Sequence, residues 1–257
     1  MDYRIHKREN LYFGLRVFFT LVVAAGLGLG GSALLGSGLG TMAATIVTFA
    51  IYALAIALFF WFQKVILIGH LKGNGVCVSE RQFPEVYAEY KRMGEELGLK
   101  RLPGLFLLQE GGLLNAFAIR FSGRNYVAIY SEVLSLVSSD PDSVRFVLAH
   151  ELGHVKRAHM SRRFWTGLSA VVPFLGAAYS RSCEYTCDNI GSRFAGSEPL
   201  QGLVLLAAGK ELYKRIDVEA YVEDARRNYS GAVRFAGLFM SHPYLPARLE
   251  NLRSLQA

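Results

Sequence analysis

Residues 140–159 read DPDSVRFVLAHELGHVKRAH. Asp140 followed by Pro141 is a helix start, with an acidic N-cap and a proline in the first turn, where its missing N–H costs nothing. The pattern predicts a helix running through Val144 to about His159. Within it, His150-Glu151-Leu152-Gly153-His154 sets two imidazoles four residues apart, on one helix face. Such a pair presents two ligands to one Zn²⁺, with Glu151 beside them as general base. A catalytic zinc also needs a third protein ligand and one open position for water. His159 is the nearest histidine, but five residues carry it roughly 140° around the helix from His154, so it is expected at the surface.

A better third ligand lies in Arg181-Ser182-Cys183-Glu184-Tyr185-Thr186-Cys187-Asp188. Arg181, Glu184 and Asp188 are spaced i, i+3, i+7 and share a helix face. Glu184 can ligate the metal. Asp188 can accept a hydrogen bond from the outer N–H of a ligand histidine, which fixes its tautomer and raises its basicity. Arg181 can pair with either carboxylate. Cys183 and Cys187 form a competing pair, also four apart. They are expected on a different face and in the core, because free cysteine is among the most buried residue types.

The flanking chain says where such a domain sits. Of the 257 residues, 52% are hydrophobic and only 19% charged, which excludes a disordered chain. The net charge of +7 fits a nucleic-acid or an anionic-lipid partner. The charge distribution favours lipid, since Val17–Gln63 contains no Asp, Glu, Lys or Arg. About 20 apolar residues cross a bilayer, so this run holds two crossings, near Leu15–Leu35 and Ala43–Ile68, joined around residues 36–41. The first is too long for the apolar region of a cleaved signal peptide. Gly26/Gly30 and Gly36/Gly40 have the spacing that lets helix backbones approach, and are read as packing within the hairpin. Lysines and arginines flank both ends and are missing from the turn, which places both ends and the following domain in the cytoplasm. Three cysteines on that side are expected as free thiols.

The remainder alternates helix and strand patterns. Pro84–Leu97 reads as a helix, Leu105–Gln109 as a strand, and Asn115–Phe121 with Tyr126–Tyr130 as a β-hairpin turning at residues 122–125. Arg181–Phe194, Leu200–Lys214 and the stretch after Pro246 read as helices. Phe164–Ser180 carries no charge. A single crossing there would separate His154 from Glu184, so it is expected to be a core helix or one lying against the membrane, broken at Pro173.

These pieces together resemble the HtpX-like membrane zinc metalloproteases, the gluzincin family that also contains the CAAX prenyl endopeptidases. The matching residues are Asn115-Ala116-Phe117-Ala118, His150–His154, Arg181-x-x-Glu184-x-x-Cys187-Asp188, and Ser241-His242-Pro243 followed by Arg248. Cys187 stands where that family usually has Ala, and the short spacer between the zinc helices leaves no room for a second membrane hairpin. The resemblance implies Glu184 as third ligand and Asp188 as its outer partner. It implies that Asn115, Ala116, Phe117 and Ala118 form an edge strand that binds substrate by strand addition. It also implies that His242 steadies the tetrahedral intermediate.

The expected fold is therefore α+β and mainly helical: a cytoplasmic tail at 1–14, a transmembrane helical hairpin at 15–68, and a zincin-type metalloprotease domain with a small β-sheet at 69–257. The expected activity is peptide-bond hydrolysis by one Zn²⁺ per chain, through a zinc-bound water and Glu151 as general base. The expected partners are unfolded or membrane proteins and the lipid bilayer, with no nucleic acid. The expected place is the inner membrane of the cell, in membrane protein quality control. A prenyl-protein processing protease and a non-catalytic adaptor on a peptidase-like fold are the alternatives.

Overall fold

The computed structural model describes residues 3–34, 39–109, 116–196 and 199–256. Two long helices come first, α1 (Lys7–Leu34) and α2 (Leu39–Asn74). Stretches of 21 and 30 residues within them, Lys7–Leu27 and Thr45–Asn74, are long and apolar enough to cross a membrane, and their most apolar 18-residue windows are almost wholly unburied by the protein. A Cβ at Gly26 would meet nothing within 4 Å among the described residues; Gly30, Gly36 and Gly40, the other glycines of that expected packing, fall among residues whose side chains are not described. Of the turn expected at 36–41, residues 36–38 lie outside the described ones and 39–41 already belong to α2.

The globular part follows as β1 (Val76–Cys77), α3 (Pro84–Glu96), β2 (Gly104–Leu108), β3 (Ala116–Phe121), β4 (Arg124–Tyr130), the single turn α4 (Ser131–Leu134), α5 (Pro141–Lys156) and α6 (His159–Trp165). A short 3-10 segment (Gly167–Val171) leads into α7 (Leu175–Gly191). Then come α8 (Gln201–Leu212), α9 (Val218–Arg227), α10 (Gly231–Phe239) and α11 (Leu245–Gln256). The sheet order is β1-β2-β4-β3, with β2 and β4 parallel and the other pairs antiparallel.

Strand β4 explains how the domain meets the apolar helices. Its run Tyr126–Tyr130 is buried throughout, which needs both sheet faces covered. Val127 and Ile129 face the main core with Leu148 and Leu152 of α5. Tyr126, Ala128 and Tyr130 face the other way, onto Ile68 and Leu71 at the lower end of α2. The β3–β4 connection is tighter than the four residues expected. Ser122 and Gly123 alone turn the chain, both with positive φ (46° and 78°), the signature of a two-residue type I′ turn. Strand β3 lies at the edge of the sheet.

Helix α5 begins as its sequence predicts. The Asp140 carboxylate accepts hydrogen bonds from the Ser143 amide (3.0 Å) and hydroxyl (2.6 Å), and from the buried Tyr213 hydroxyl (2.6 Å). Asp140→Ala removes a helix cap, worth about 1 kcal/mol, and the acceptor of the Tyr213 hydroxyl, a charge-assisted hydrogen bond worth roughly 1.5–3 kcal/mol. Thermal unfolding of the domain is expected to shift down by about 5–10 °C, as read by circular dichroism.

The helix ends earlier than expected. It stops at Lys156, and Ala158 adopts a left-handed conformation (φ 52°) before α6 starts at His159. Helix α5 packs tightly on α7, and glycines permit the approach from both sides. A Cβ on Gly153 would lie 3.2 Å from Cys187 Sγ and 3.1 Å from Ile190 Cδ1. One on Gly191 would lie 2.9 Å from the Phe146 carbonyl oxygen.

The uncharged stretch Phe164–Ser180 is not a core helix. It makes the end of α6, the 3-10 segment, a break with Phe174 at φ 62°, and the start of α7. Phe164 and Trp165 are 71% and 76% exposed.

Candidate metal centre

Close packing of α5 on α7 brings three side chains to one point. His150 Nε2 lies 3.3 Å from His154 Nε2, His150 Nε2 lies 3.4 Å from Glu184 Oε2, and His154 Nε2 lies 3.3 Å from Glu184 Oε1. His150 and Glu184 are buried. Glu151, the next residue on α5, is also buried. Bonds of about 2.0–2.1 Å to N and O in a tetrahedral site put ligand atoms roughly 3.3–3.4 Å apart, so the three residues fit a zinc ion.

The surrounding charges support this set. Asp188 Oδ1 lies 3.0 Å from His150 Nδ1, on the far side of the ring from Glu184. Burial pulls the His150 pKa down, but the Asp188 and Glu184 carboxylates outweigh it and raise it to about 10. Burial acts against the Glu184 charge too, yet His154 and His150 hold its carboxyl well below the usual range. Asp188 is gripped by Arg248, whose Nε and Nη2 donate to its two oxygens at 2.8 and 2.6 Å. Arg248 Nη2 also lies 3.8 Å from Glu184 Oε2. Arg181, expected beside these carboxylates, instead donates to the Leu238 and Met240 carbonyls at 3.1 and 2.7 Å. Its side chain leans toward α10, and Arg248 of α11 fills the place next to the carboxylates.

Cys187 is closer than expected. Its Sγ and one ring nitrogen each of His150 and His154 lie within 4.8 Å of one another. The three-residue step from Glu184 turns it only about 60° around the helix, so the two share a side after all. Burial, and then the Glu184 charge, push the Cys187 thiol well above its ordinary pKa. A metal binds the thiolate, and this environment disfavours it. Cys183 is buried and free, as the sequence suggests.

His159 is the largest departure. It is 1% exposed, and its Nδ1 lies 3.0 Å from Nδ1 of His154. The left-handed turn at Ala158 swings it back toward α5, which a continuous helix would not do. Its Nε2 lies 3.3 Å from Oε1 of Glu9, a carboxylate on α1 that is itself fully buried. That oxygen also accepts from Arg157 Nη2 (2.9 Å) and Arg162 Nη1 (3.2 Å). The expected tail is thus built into the domain. The Arg4 carbonyl accepts from Asn189 Nδ2 at 2.8 Å, and the His6 amide donates to Thr186 Oγ1 at 3.0 Å. No sequence pattern marks Glu9 for this position.

Two further predicted elements border the site. His242 Nε2 lies 3.6 Å from Glu184 Oε1 on a side chain that is 63% exposed. Ala116, Phe117 and Ala118 lie in β3, paired with Ile129, Ala128 and Val127, and β3 packs along α5. Asn115 lies outside the described residues.

Two histidines and a glutamate thus meet where α5 packs on α7, with an edge strand alongside and an apolar helix pair ahead. The model of "Peptidase family M48" matches residues 80–175 and 161–256, and the chain belongs to that family. It is 26% identical over 183 residues to plastoglobule-localized metallopeptidase 48 of Arabidopsis thaliana, covering 64% of this chain and 52% of that protein. It is 26% identical over 254 residues to a protease HtpX homolog of Pyrococcus abyssi, covering 80% of this chain and 86% of that one. Protease HtpX of Stutzerimonas stutzeri is 26% identical over 212 residues, covering 63% and 70%. The chain therefore spans about half the length of the plant relative and more of the microbial ones. The crystal structure of S. mikatae Ste24p shares the fold, with a TM-score of 0.52 at 14% identity over 94% of this chain and 66% of that one.

Proposed function

We propose that the chain is a membrane-anchored zinc endopeptidase in which His150, His154 and Glu184 hold one Zn²⁺ and Glu151 moves the protons. The observation that carries this reading is the 3.3–3.4 Å triangle of His150, His154 and Glu184 atoms. When bound, zinc supplies Lewis acidity toward a water and a peptide carbonyl. The residues supply the rest. Strand β3 takes an extended substrate as an added strand, through backbone hydrogen bonds that read little sequence. The Glu151 carboxylate accepts a proton from the attacking water and returns it to the departing amine nitrogen. His242 donates a hydrogen bond to the developing oxyanion. Asp188, held by Arg248, keeps a proton on His150 Nδ1 so that Nε2 faces the metal. His159 does the corresponding work at His154 Nδ1.

With α1 and α2 crossing the bilayer, the flanking cations favour a site on the cytoplasmic side of the cell membrane. Unfolded or membrane-protein segments are then the substrates within reach, which suits protein quality control.

The test is metal content by mass spectrometry together with hydrolysis of unfolded casein by the full chain in detergent or vesicles. One zinc per chain and chelator-sensitive cleavage are expected. A metal-free protein, or cleavage indifferent to chelator, rules the reading out. A separate outcome concerns His159. His159→Phe is expected to weaken zinc binding roughly 10–100-fold, as loss of an outer partner of a ligand histidine does, measured by competition with a chromophoric chelator.

A further inference from the structure

Residues 164–174 and helix α10 carry large apolar side chains that the domain does not use. Phe164, Trp165, Val171, Phe174, Phe235 and Phe239 are all exposed, and no residue of α10 is buried. Their rings form two clusters, Phe164 with Trp165 at 5.3 Å between centroids, and Phe174 with Phe239 and Phe235. The Phe174 and Phe239 centroids are 5.0 Å apart, and those of Phe235 and Phe239 are 5.3 Å apart.

The height of this surface along α1 is set by hydrogen bonds. Arg16 is the last charged residue before the uncharged run of α1 and α2. It is buried, and it donates from Nε to Thr166 Oγ1 at 2.8 Å and from Nη2 to the Thr166 carbonyl at 3.0 Å. Thr166 directly follows Trp165. The start of α7 passes the same point, since a Cβ on Gly176 would lie 2.9 Å from Arg16 Nη1. The 3-10 segment packs along α1. Just beyond Arg16, Phe18 and Leu21 of α1 are exposed. The apolar surface is thus continuous with the face of α1 that needs lipid, and it begins where that helix leaves the domain. Arg162 and Arg163 precede it, and the first of these is held over Phe13 of α1 at 4.7 Å. A tryptophan flanked by arginines at the end of a membrane helix suits the headgroup boundary. At its other end, α10 is tied by Arg181 through the Leu238 and Met240 carbonyls and runs straight into Ser241-His242.

We propose that residues 164–174 and α10 form a collar that dips into the cytoplasmic face of the bilayer without crossing it, with the lipid acyl–headgroup boundary as its partner. This rests on the reading that α1 and α2 span the membrane. The collar borders the metal centre through His242, so it opens the site onto the lipid interface. That favours substrates presented as membrane-adjacent segments.

The chain has two tryptophans, Trp61 in α2 and Trp165 in the collar, so each can be read alone. The full chain is reconstituted in phosphatidylcholine–phosphatidylglycerol vesicles carrying acyl chains brominated either near the headgroup or near the chain end. In Trp61→Phe protein, Trp165 is expected to lose more emission to the shallow bromines than to the deep ones, and to resist aqueous iodide. In Trp165→Phe protein, Trp61 should be quenched by bromine-bearing lipid. If Trp61 is quenched but Trp165 responds only to iodide, the collar is in water and this proposal alone fails. If Trp165 is shielded from both quenchers, protein covers it, and the proposal fails equally. If neither tryptophan responds to lipid bromine, the spanning reading fails as well. Should Trp61→Phe not fold, the difference in quenching between the unmodified chain and Trp165→Phe reports the same indole.

Discussion

Glu151→Gln is expected to lower kcat for casein or peptide hydrolysis by about a thousandfold or more while one zinc stays bound per chain. General acid–base catalysis by a positioned side chain contributes typically about 10²–10⁴-fold. In the proposed mechanism Glu151 acts twice, on the water proton and on the leaving nitrogen. Gln has the same size and still fits its buried place on α5, but an amide neither accepts nor returns that proton. The metal stays because the triangle of ligand atoms is built from His150, His154 and Glu184. The check is kcat on the purified variant beside its metal content. Activity within tenfold of the unmodified chain removes Glu151 from the proton path. Loss of metal along with activity makes Glu151 part of the binding site instead.

Glu184→Ala and Cys187→Ala separate the two groups of α7 that face the histidines. Glu184→Ala is expected to weaken zinc binding by more than the roughly 10–100-fold that an outer partner costs, and to abolish hydrolysis. It removes the one carboxylate within 3.4 Å of both ligand nitrogens and leaves two imidazoles. Cys187→Ala is expected to keep zinc and activity within a few-fold. Burial, and then the Glu184 charge, push its thiol pKa up, and its Sγ sits between Gly153 and His159, which suits packing. The small space it leaves costs stability, about 1–2 kcal/mol, seen as a lower melting temperature. Competitive metal titration of both variants decides the matter. Retained zinc in Glu184→Ala and lost zinc in Cys187→Ala would reverse the assignment.

The parts of this molecule that could be read in advance are those written in local periodicity. One uncharged run, Val17–Gln63, makes most of the two long apolar helices, because a backbone in lipid must satisfy its own hydrogen bonds. Asp140 and Pro141 start α5, and the four-residue step puts His150 and His154 on one face. The i, i+3, i+7 step on α7 aims Glu184 and Asp188 together, and the structure brings those faces to each other. The β3–β4 hairpin was legible from alternation, though its two-residue turn was not.

What escaped such reading depends on contacts between distant segments. His159 turns inward because Ala158 leaves the helix, and helix periodicity presumes that no such break exists. Arg181 and Arg248 are equally charged on paper. Only the placement of α11 against α7 gives Asp188 to Arg248 and leaves Arg181 to the α10 carbonyls. Cys187 joined the ligand side because a side chain 60° around a helix still reaches a site when α5 lies close at Gly153. Glu9, some 140 residues from the histidines in sequence, is buried against His159 by the docking of α1.

By itself, then, the amino-acid sequence indicated the two apolar helices, α3, α5, α7, α8 and α11, and the helix faces that could hold a metal, while α4, α6, α9 and α10 were not legible in it. Each of these follows from residues a few positions apart. The tertiary structure decided which arginine holds Asp188, that His159 backs His154, and that α1 reaches the candidate site through Glu9. Those are pairings between faces, and the free energy that selects them comes from burial and charge compensation among segments that meet only once the chain has folded.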